Sequence, residues 1–234
     1  MKLFEPLHLG NMHLANRIVM APLTRSRADA KTNAPGGLAA TYYGQRASAG
    51  LIIAEGTSPS PNGVGYPRIP GIYSQAQIDG WRLVAESVHE KGGNLFVQLM
   101  HCGRVAHEAN LPQGASVIAP SGVELPGEMY TDAYGMQPHT PARAMTGEDL
   151  QATAEEYVQA AKNAVEAGCD GVEIHAANGY LLEQFIHPHT NRREDDYGGS
   201  IEKRCRFVLE VVRQCCDAIG KEKVGIRLSP YGTF

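Results

Sequence analysis

Apolar residues along this chain fall into two alternating rhythms. Short, nearly unbroken apolar runs occur at residues 17–22, 51–57, 94–101, 171–176 and 223–230. Unbroken rather than every-other-residue apolar character suits strands of a parallel sheet that is covered on both faces. Between these runs lie longer segments in which apolar positions recur with helical spacing. Residues 37–49 read as a helix closed by Gly50. Ser74 is placed to cap a helix reaching about Lys91, with Ile78, Trp81, Val84, Ala85 and Val88 on one face and Gly92-Gly93 ending it. Thr146-Gly147-Glu148-Asp149 is a capping signal with Asp in the last position, and it opens a helix carrying Leu150, Ala154, Tyr157, Val158, Ala161 and Val165 to Gly168. Residues 181–186 suit a short helical turn. Ser200 starts a further helix with Phe207, Val208, Val211, Val212 and Ile219 on its apolar side.

Strand and helix in regular alternation imply parallel β/α construction. A doubly wound dinucleotide-binding fold would place Gly-x-Gly-x-x-Gly after the first strand, and none is there. Polar groups instead gather after each strand: Thr24, then Glu55 to Thr57, Gln98, His175 and Arg227. Chemistry drawn from the ends of successive strands is characteristic of the α/β class built as a (β/α)8 TIM barrel. Closure needs about eight strands, so the chain reads as roughly the first five of such a barrel in a single domain, 1–234. A second chain or segment is then expected to supply strands six to eight. Residues 102–144 are too long for an ordinary connection and rich in Gly and Pro, which marks an excursion over the barrel mouth.

Composition narrows the function. A net charge of −4 and a pI near 6.1 give no basic footprint for nucleic acid or an anionic membrane surface. An early Glu and Pro stand where a signal peptide would need an apolar core. Five cysteines (Cys102, Cys169, Cys205, Cys215, Cys216) without Cys-x-x-Cys spacing fit reduced thiols in a cytoplasmic protein. His187 and His189 flank Pro188 but bring no carboxylate at ligand spacing, so no metal site is assigned there. His101 and His107 read as loop scaffolding, and Arg192, Arg193, Asp195 and Asp196 as a solvated or ion-paired turn.

The densest candidate chemistry lies in residues 171–180, Gly-Val-Glu-Ile-His-Ala-Ala-Asn-Gly-Tyr. His175 and Asn178 can each offer an N–H donor, and Tyr180 a phenolic proton. Two donors on one oxygen beside a proton source are what reduction of an electron-poor double bond requires. The plainer alternative is a strand and a Gly turn whose polar groups satisfy local backbone.

Five stretches together resemble the old yellow enzyme family of FMN-dependent ene-reductases. They are Asn16-Arg17-Ile18-Val19-Met20-Ala21-Pro22-Leu23-Thr24-Arg25, Gln98-Leu99-Met100-His101-Cys102-Gly103-Arg104, and His175-Ala176-Ala177-Asn178-Gly179-Tyr180 running on to Phe185. The fourth runs from Asn191-Arg192 through Asp196-Tyr197-Gly198-Gly199-Ser200 to Arg206-Phe207. The last is Arg227-Leu228-Ser229-Pro230. The resemblance implies FMN as cofactor, held along its ring by backbone groups at Pro22 and Leu23, the Thr24 hydroxyl and backbone near Gly56. Gln98 would pair with the pyrimidine edge, and Arg227 would sit by N1 and O2 of the ring. Arg227 could also form an ion pair with Glu173 or Glu55, and Gln98 could simply bond local backbone.

The resemblance further implies that His175 and Asn178 grip the carbonyl or nitro oxygen of an activated alkene. Tyr180 would protonate the α carbon, and NADPH or NADH would re-reduce the flavin. Tyr66 and Met100 would line the pocket. Met100 stands where many relatives carry Trp, which implies a roomier site. Thr24 places the chain with the Thr-bearing branch, not the branch with Cys at that position. Loops after strands seven and eight hold the FMN phosphate in the family and fall outside these five strands. An inactive barrel fragment therefore stays open as an alternative. So does a metal-dependent TIM-barrel hydrolase using His175 and His187.

Overall fold

The computed structural model describes residues 1–232. Its largest sheet holds five strands, all parallel, in the spatial order β11 (Val224–Leu228), β10 (Gly171–Ala176), β5 (Leu95–Leu99), β4 (Leu51–Thr57) and β3 (Val19–Met20). Apart from two short hairpins and a two-residue pair, those are the strands of the described residues. The sheet curls into a half barrel. Each of the five apolar runs thus became a strand, paired with its neighbour in sequence order as a β/α barrel requires.

Helices α1 (Gly37–Gly44), α2 (Gln75–His89), α3 (Gly147–Glu166) and α5 (Ile201–Ile219) lie between the strands, with the short α4 (Leu181–Ile186) directly after β10. Their apolar faces meet the sheet in one continuous core. Trp81, Val84 and Val88 of α2, Tyr157 and Ala161 of α3, and Phe207 and Val211 of α5 pack with Ile52, Val97, Val172 and Ile174. The start signals work as expected. At α2 the Gln77 side chain accepts from the Ser74 amide at 3.1 Å. At α3 the Thr146 hydroxyl accepts from the Asp149 amide while Asp149 reaches back to the Thr146 amide at 2.6 Å. Asp thus serves as well as Glu would there. Arg143 closes over the same carboxylate at 2.7 Å, holding the Asp149 carboxyl well below the usual carboxylate range.

The far end of the half barrel is covered by the antiparallel hairpin β1 (Leu7–Leu9) and β2 (Met12–Leu14). Leu14 is buried against Leu51, Ile53 and Phe96, near the starts of β4 and β5, with Leu7 and Met12 packed alongside. One end of the sheet is thereby apolar and closed, which leaves the C-terminal strand ends for polar groups.

Two boundaries depart from the sequence reading. The expected helix over 37–49 stops at Gly44, and the expected strand over 17–22 is reduced to Val19–Met20. Asn16 causes both. Its Oδ1 accepts from the Gly50 amide at 2.9 Å and from the Ile18 amide at 3.0 Å, while its Nδ2 donates to the Ser48 carbonyl at 2.8 Å. Segment 45–50 is bound to the stretch before β3 instead of continuing the helix. A Cβ at Gly50 would collide with the Asn16 carbonyl, so only glycine fits.

The excursion has more order than its composition implied. It contains a hairpin, β7 (Glu128–Thr131) with β8 (Gly135–Pro138), and a short parallel pair, β6 (Ile118–Ala119) with β9 (Arg143–Ala144). Asn110 ties it down by donating to the Gly65 carbonyl at 3.1 Å and the Tyr130 carbonyl at 3.0 Å. Arg193, read as part of a solvated or ion-paired turn, takes the ion-paired form and is only partly exposed. It pairs with Asp195 at 2.5 Å and donates to the Pro120 carbonyl at 3.0 Å and to the Met145 carbonyl.

Candidate active site

At the C-terminal ends of the strands a cleft of about 160 Å³ is lined by Ala21, Pro22, Thr24, Gln98, Met100, His175, Asn178, Tyr180 and Arg227. These residues come from the C-terminal ends of β5, β10 and β11 and from positions just after β3, β5 and β10, so one end of the sheet gathers what the sequence spreads over more than 200 positions. Leu23, Gly56 and Tyr66 do not line it. The Leu23 side chain is exposed. Gly56 lies beneath Met100, whose Cε and Sδ stand 2.5 and 2.6 Å from where a Gly56 Cβ would be. Tyr66 sits one residue back, its hydroxyl accepting from the Tyr180 hydroxyl at 3.2 Å.

His175 is held neutral and in one tautomer. Burial, with the Arg227 cation nearby, pushes its pKa down to about 4. Its Nδ1 accepts from the Ala177 amide at 3.3 Å, which assigns the remaining proton to Nε2. The imidazole stands edge-on to the Tyr180 ring, centroids 4.9 Å apart at 88°. Asn178 follows with φ of 55° and Gly179 with φ of 78°. Asn tolerates this left-handed conformation better than most residues, and the exposed carboxamide joins the His175 side of the cleft. Tyr180 is pushed well above the ordinary tyrosine range by burial first, then by its Cys102 and Tyr66 neighbours. A neutral imidazole N–H, a carboxamide and a protonated phenol therefore face one space.

The other side carries charge. Arg227 makes a two-pronged ion pair with Glu173, Nε to Oε1 at 2.8 Å and Nη2 to Oε2 at 3.0 Å. Gln98 donates to the same Oε1 at 2.7 Å. Of the two partners considered for Arg227, Glu173 is the one it takes. The pairing arises from register, because Glu173 stands opposite Gln98 on one side and two positions before the His175–Arg227 pair on the other. The Gln98 amide bonds this carboxylate rather than local backbone, and its carbonyl oxygen stays available to the cleft. Both side chains line the cleft while they are braced.

Glu55 supports the Thr24 side, a role the sequence did not disclose. The β4–β5 register skips from Ala54 to Gly56, so Glu55 is the extra residue of a bulge. Its Oε2 accepts from the Arg25 amide at 2.9 Å and its Oε1 from the Tyr43 hydroxyl at 3.1 Å. Tyr43 in turn accepts from the Glu55 amide at 3.0 Å. The residue after Thr24 is thus pinned to the sheet. A lone acid within an apolar run was the available signal. Burial raises the Glu55 pKa above its ordinary 4.5. Above that raised value the ion must be held desolvated, so its stability cost develops as pH rises from about 4.5 through the folded-state pKa. Glu55→Gln keeps an acceptor for Arg25 and is expected to flatten this part of the Tm-against-pH curve. Melts between about pH 4 and 8 that keep the parent slope would contradict the assignment.

The remaining histidines are scattered. His101 and His107 each accept a backbone amide two residues on through Nδ1, at 3.1 Å from Gly103 and 3.0 Å from Ala109, as loop scaffolding should. His187 and His189 lie in a different cavity, with Arg104, Glu183 and Thr190, and not with His175. The cysteines in the described residues are unpaired.

The cleft fits the polar edge of a flavin. A fixed cation at Arg227, an amide at Gln98 and the Pro22–Thr24 turn supply complementary groups along one wall, opposite His175 and Asn178. Arg227 is the one cation among the lining residues described, so this cleft holds ring chemistry and no phosphate cradle.

Known proteins resemble this chain in sequence and fold. Morphinone reductase is 49% identical with a TM-score of 0.92, covering 98% of this chain and 62% of its own. A structure of that enzyme in complex with tetrahydroNAD superposes with a TM-score of 0.93 at 48% identity, over 99% of this chain and 64% of its own. The old yellow enzyme homologue of Zymomonas mobilis gives a TM-score of 0.95 at 44% identity, over 99% of this chain and 64% of its own. Flavin oxidoreductase hxnT of Emericella nidulans is 47% identical over 99% of the chain, and 12-oxophytodienoate reductase 7 of Oryza sativa subsp. japonica 44% over 97%. The chain spans 60% and 58% of the lengths of these two curated relatives. Residues 2–234 match the NADH:flavin oxidoreductase / NADH oxidase family, and with the five parallel strands of its barrel and the cleft at their ends, the chain belongs to that family.

Proposed function

We propose that this chain carries the ring-binding and substrate-holding part of an FMN-dependent, NAD(P)H-driven reductase of activated C=C bonds. The substrates are α,β-unsaturated carbonyls, maleimides and nitro compounds. The observation that carries the reading is the meeting of His175, Asn178 and Tyr180 with Gln98 and Arg227 across one cleft.

The bound flavin would supply the hydride that reaches the β carbon of the alkene. The chain's own groups do the rest. Nε2–H of His175 and the Asn178 carboxamide hold the substrate oxygen and favour negative charge developing on it. Tyr180, protonated throughout the neutral range, gives its proton to the α carbon. Arg227 offsets negative charge at the pyrimidine edge of the ring, and Glu173 fixes its orientation. Met100 is the smaller, flexible wall that leaves room for bulky substrates. The morphinone reductase complex with tetrahydroNAD supports a nicotinamide reductant entering a site of this kind.

We further propose that a second chain or segment completes the barrel. Val19 beside the β3 edge and Ile226 and Leu228 on the β11 edge are 48%, 43% and 58% exposed. Apolar strand edges of this kind call for a partner. The test is purification followed by absorbance, light scattering and turnover. Bound FMN, a species larger than one 25.2 kDa chain and cyclohexenone-dependent NADPH or NADH oxidation are expected. A flavin-free monomer without turnover would favour an inert fragment.

A further inference from the structure

We infer that Ser229 and Glu183 are positioning residues for the Asn178 carboxamide, and that they tie the substrate-holding turn to the strand that carries Arg227. The inference rests on the reading of Asn178 as a donor to the substrate oxygen.

Asn178 and Gly179 are successive left-handed residues, with φ of 55° and 78°. A non-glycine residue holds such a conformation only when its surroundings over-determine it. Here both amides of the turn are engaged by one connected group. The Asn178 N–H donates to Ser229 Oγ at 2.8 Å, and the Ser229 hydroxyl donates to Glu183 Oε1 at 2.7 Å. The other carboxylate oxygen, Oε2, accepts from the Gly179 N–H. A single carboxylate thus closes a ring through the hydroxyl and the two turn amides. The three contributors belong to different elements: the turn after β10, the first turn of α4, and the residue just past β11.

The Ser229 hydroxyl cannot be replaced by local backbone. It accepts one hydrogen bond and passes its own proton on, so removing it leaves the Asn178 amide and Glu183 Oε1 without these partners at once. Its position also carries meaning. Ser229 lies two residues beyond Arg227, and Arg227 is paired in register with His175. The segment that sets the cation for the ring edge therefore also sets the angle of the carboxamide. Arg227 reaches Glu173 and Ser229 reaches Glu183, so two carboxylates outside the lining of the cleft hold its two walls to β11.

The test uses the FMN-bound protein with Ser229→Ala, Ser229→Thr and Glu183→Gln. Amide hydrogen exchange at Asn178 and Gly179, which needs no flavin chemistry, is the first readout. Affinity for para-chlorophenol and the KM and kcat for cyclohexenone are the second. Ser229→Ala is expected to speed exchange at Asn178 about tenfold and to raise both the phenol Kd and the KM about tenfold, the worth of one hydrogen bond. FMN content should stay within about twofold, while kcat falls alongside the rise in KM, because the Asn178 hydrogen bond strengthens as charge develops on the substrate oxygen. Ser229→Thr, which keeps the hydroxyl, should restore all of these, and Glu183→Gln, which keeps one acceptor oxygen, should fall between. Parent exchange, phenol affinity and KM in Ser229→Ala would overturn the inference. So would lowered melting and flavin loss with phenol affinity unchanged in the holo fraction, the mark of a merely structural role. If the unsubstituted holoprotein itself binds no phenol, the reading of Asn178 falls, while hydrogen exchange still decides whether the ring of hydrogen bonds braces the turn.

Discussion

The paired substitution His175→Ala, Asn178→Ala is expected to lower kcat/KM for cyclohexenone by about 10³. Removing one donor to a developing oxyanion typically costs about 10² to 10³. Donors that act as a unit do not add fully, so the pair costs little more than the larger single effect. The loss should fall on kcat as well as KM, because the hydrogen bonds strengthen as charge moves onto the oxygen. Neither side chain is replaceable in place. His175 is the neutral imidazole whose tautomer the Ala177 amide sets, and Asn178 occupies a backbone conformation that few residues accept. Flavin content should persist, since Gln98 and Arg227 are braced by Glu173 rather than by the pair removed. Steady-state kinetics on the FMN-saturated double variant check this. Parent turnover would remove the clamp from the account.

Tyr180→Phe is expected to slow the alkene half of the cycle by about 10² to 10³, within the usual range for a general acid. Reduction of the flavin by NADPH needs no proton from this phenol and should keep its rate. Stopped-flow measurement of the two half-reactions separates these outcomes. Because burial lifts the Tyr180 pKa above the ordinary 10, the alkene half-reaction of the parent protein should show no loss of this acid up to about pH 9. In the resting structure the phenol proton is directed at the Tyr66 oxygen. A hydroxyl rotor turns readily, so it can serve a substrate carbon once one is seated. Equal slowing of both half-reactions would mean that Tyr180 shapes the site instead of donating a proton.

The proposed catalytic trio is legible in the sequence because it is local. His175, Asn178 and Tyr180 leave one strand through one turn, and their spacing alone brings them together. The strands were legible for a similar reason: burial on both faces leaves nearly unbroken apolar runs such as Leu51 to Ala54. What the chain did not disclose depends on relations between strands. Glu55 is a bulge only against β5, and the bulge is what sends its carboxylate to Arg25 and Tyr43. The Glu173 pairing that orients Arg227 and Gln98 follows from register, which no single run contains. Asn16 shortens both α1 and β3 through side-chain hydrogen bonds across 32 and 34 residues, invisible to any periodicity. Leu23, Gly56 and Tyr66 were placed at the site by resemblance. For Leu23 and Gly56 the resemblance concerns backbone groups; in the fold the Leu23 side chain is exposed, Met100 packs against Gly56, and the Tyr66 hydroxyl bonds Tyr180.

An imidazole and a carboxamide are proposed to hold one oxygen against a bound flavin ring. A difference spectrum on titrating the purified, FMN-bound protein with para-chlorophenol tests this most directly. A saturable long-wavelength charge-transfer band is expected in the parent protein, and it should vanish in His175→Ala, Asn178→Ala at equal flavin content. A band of unchanged strength and affinity in the double variant would contradict it.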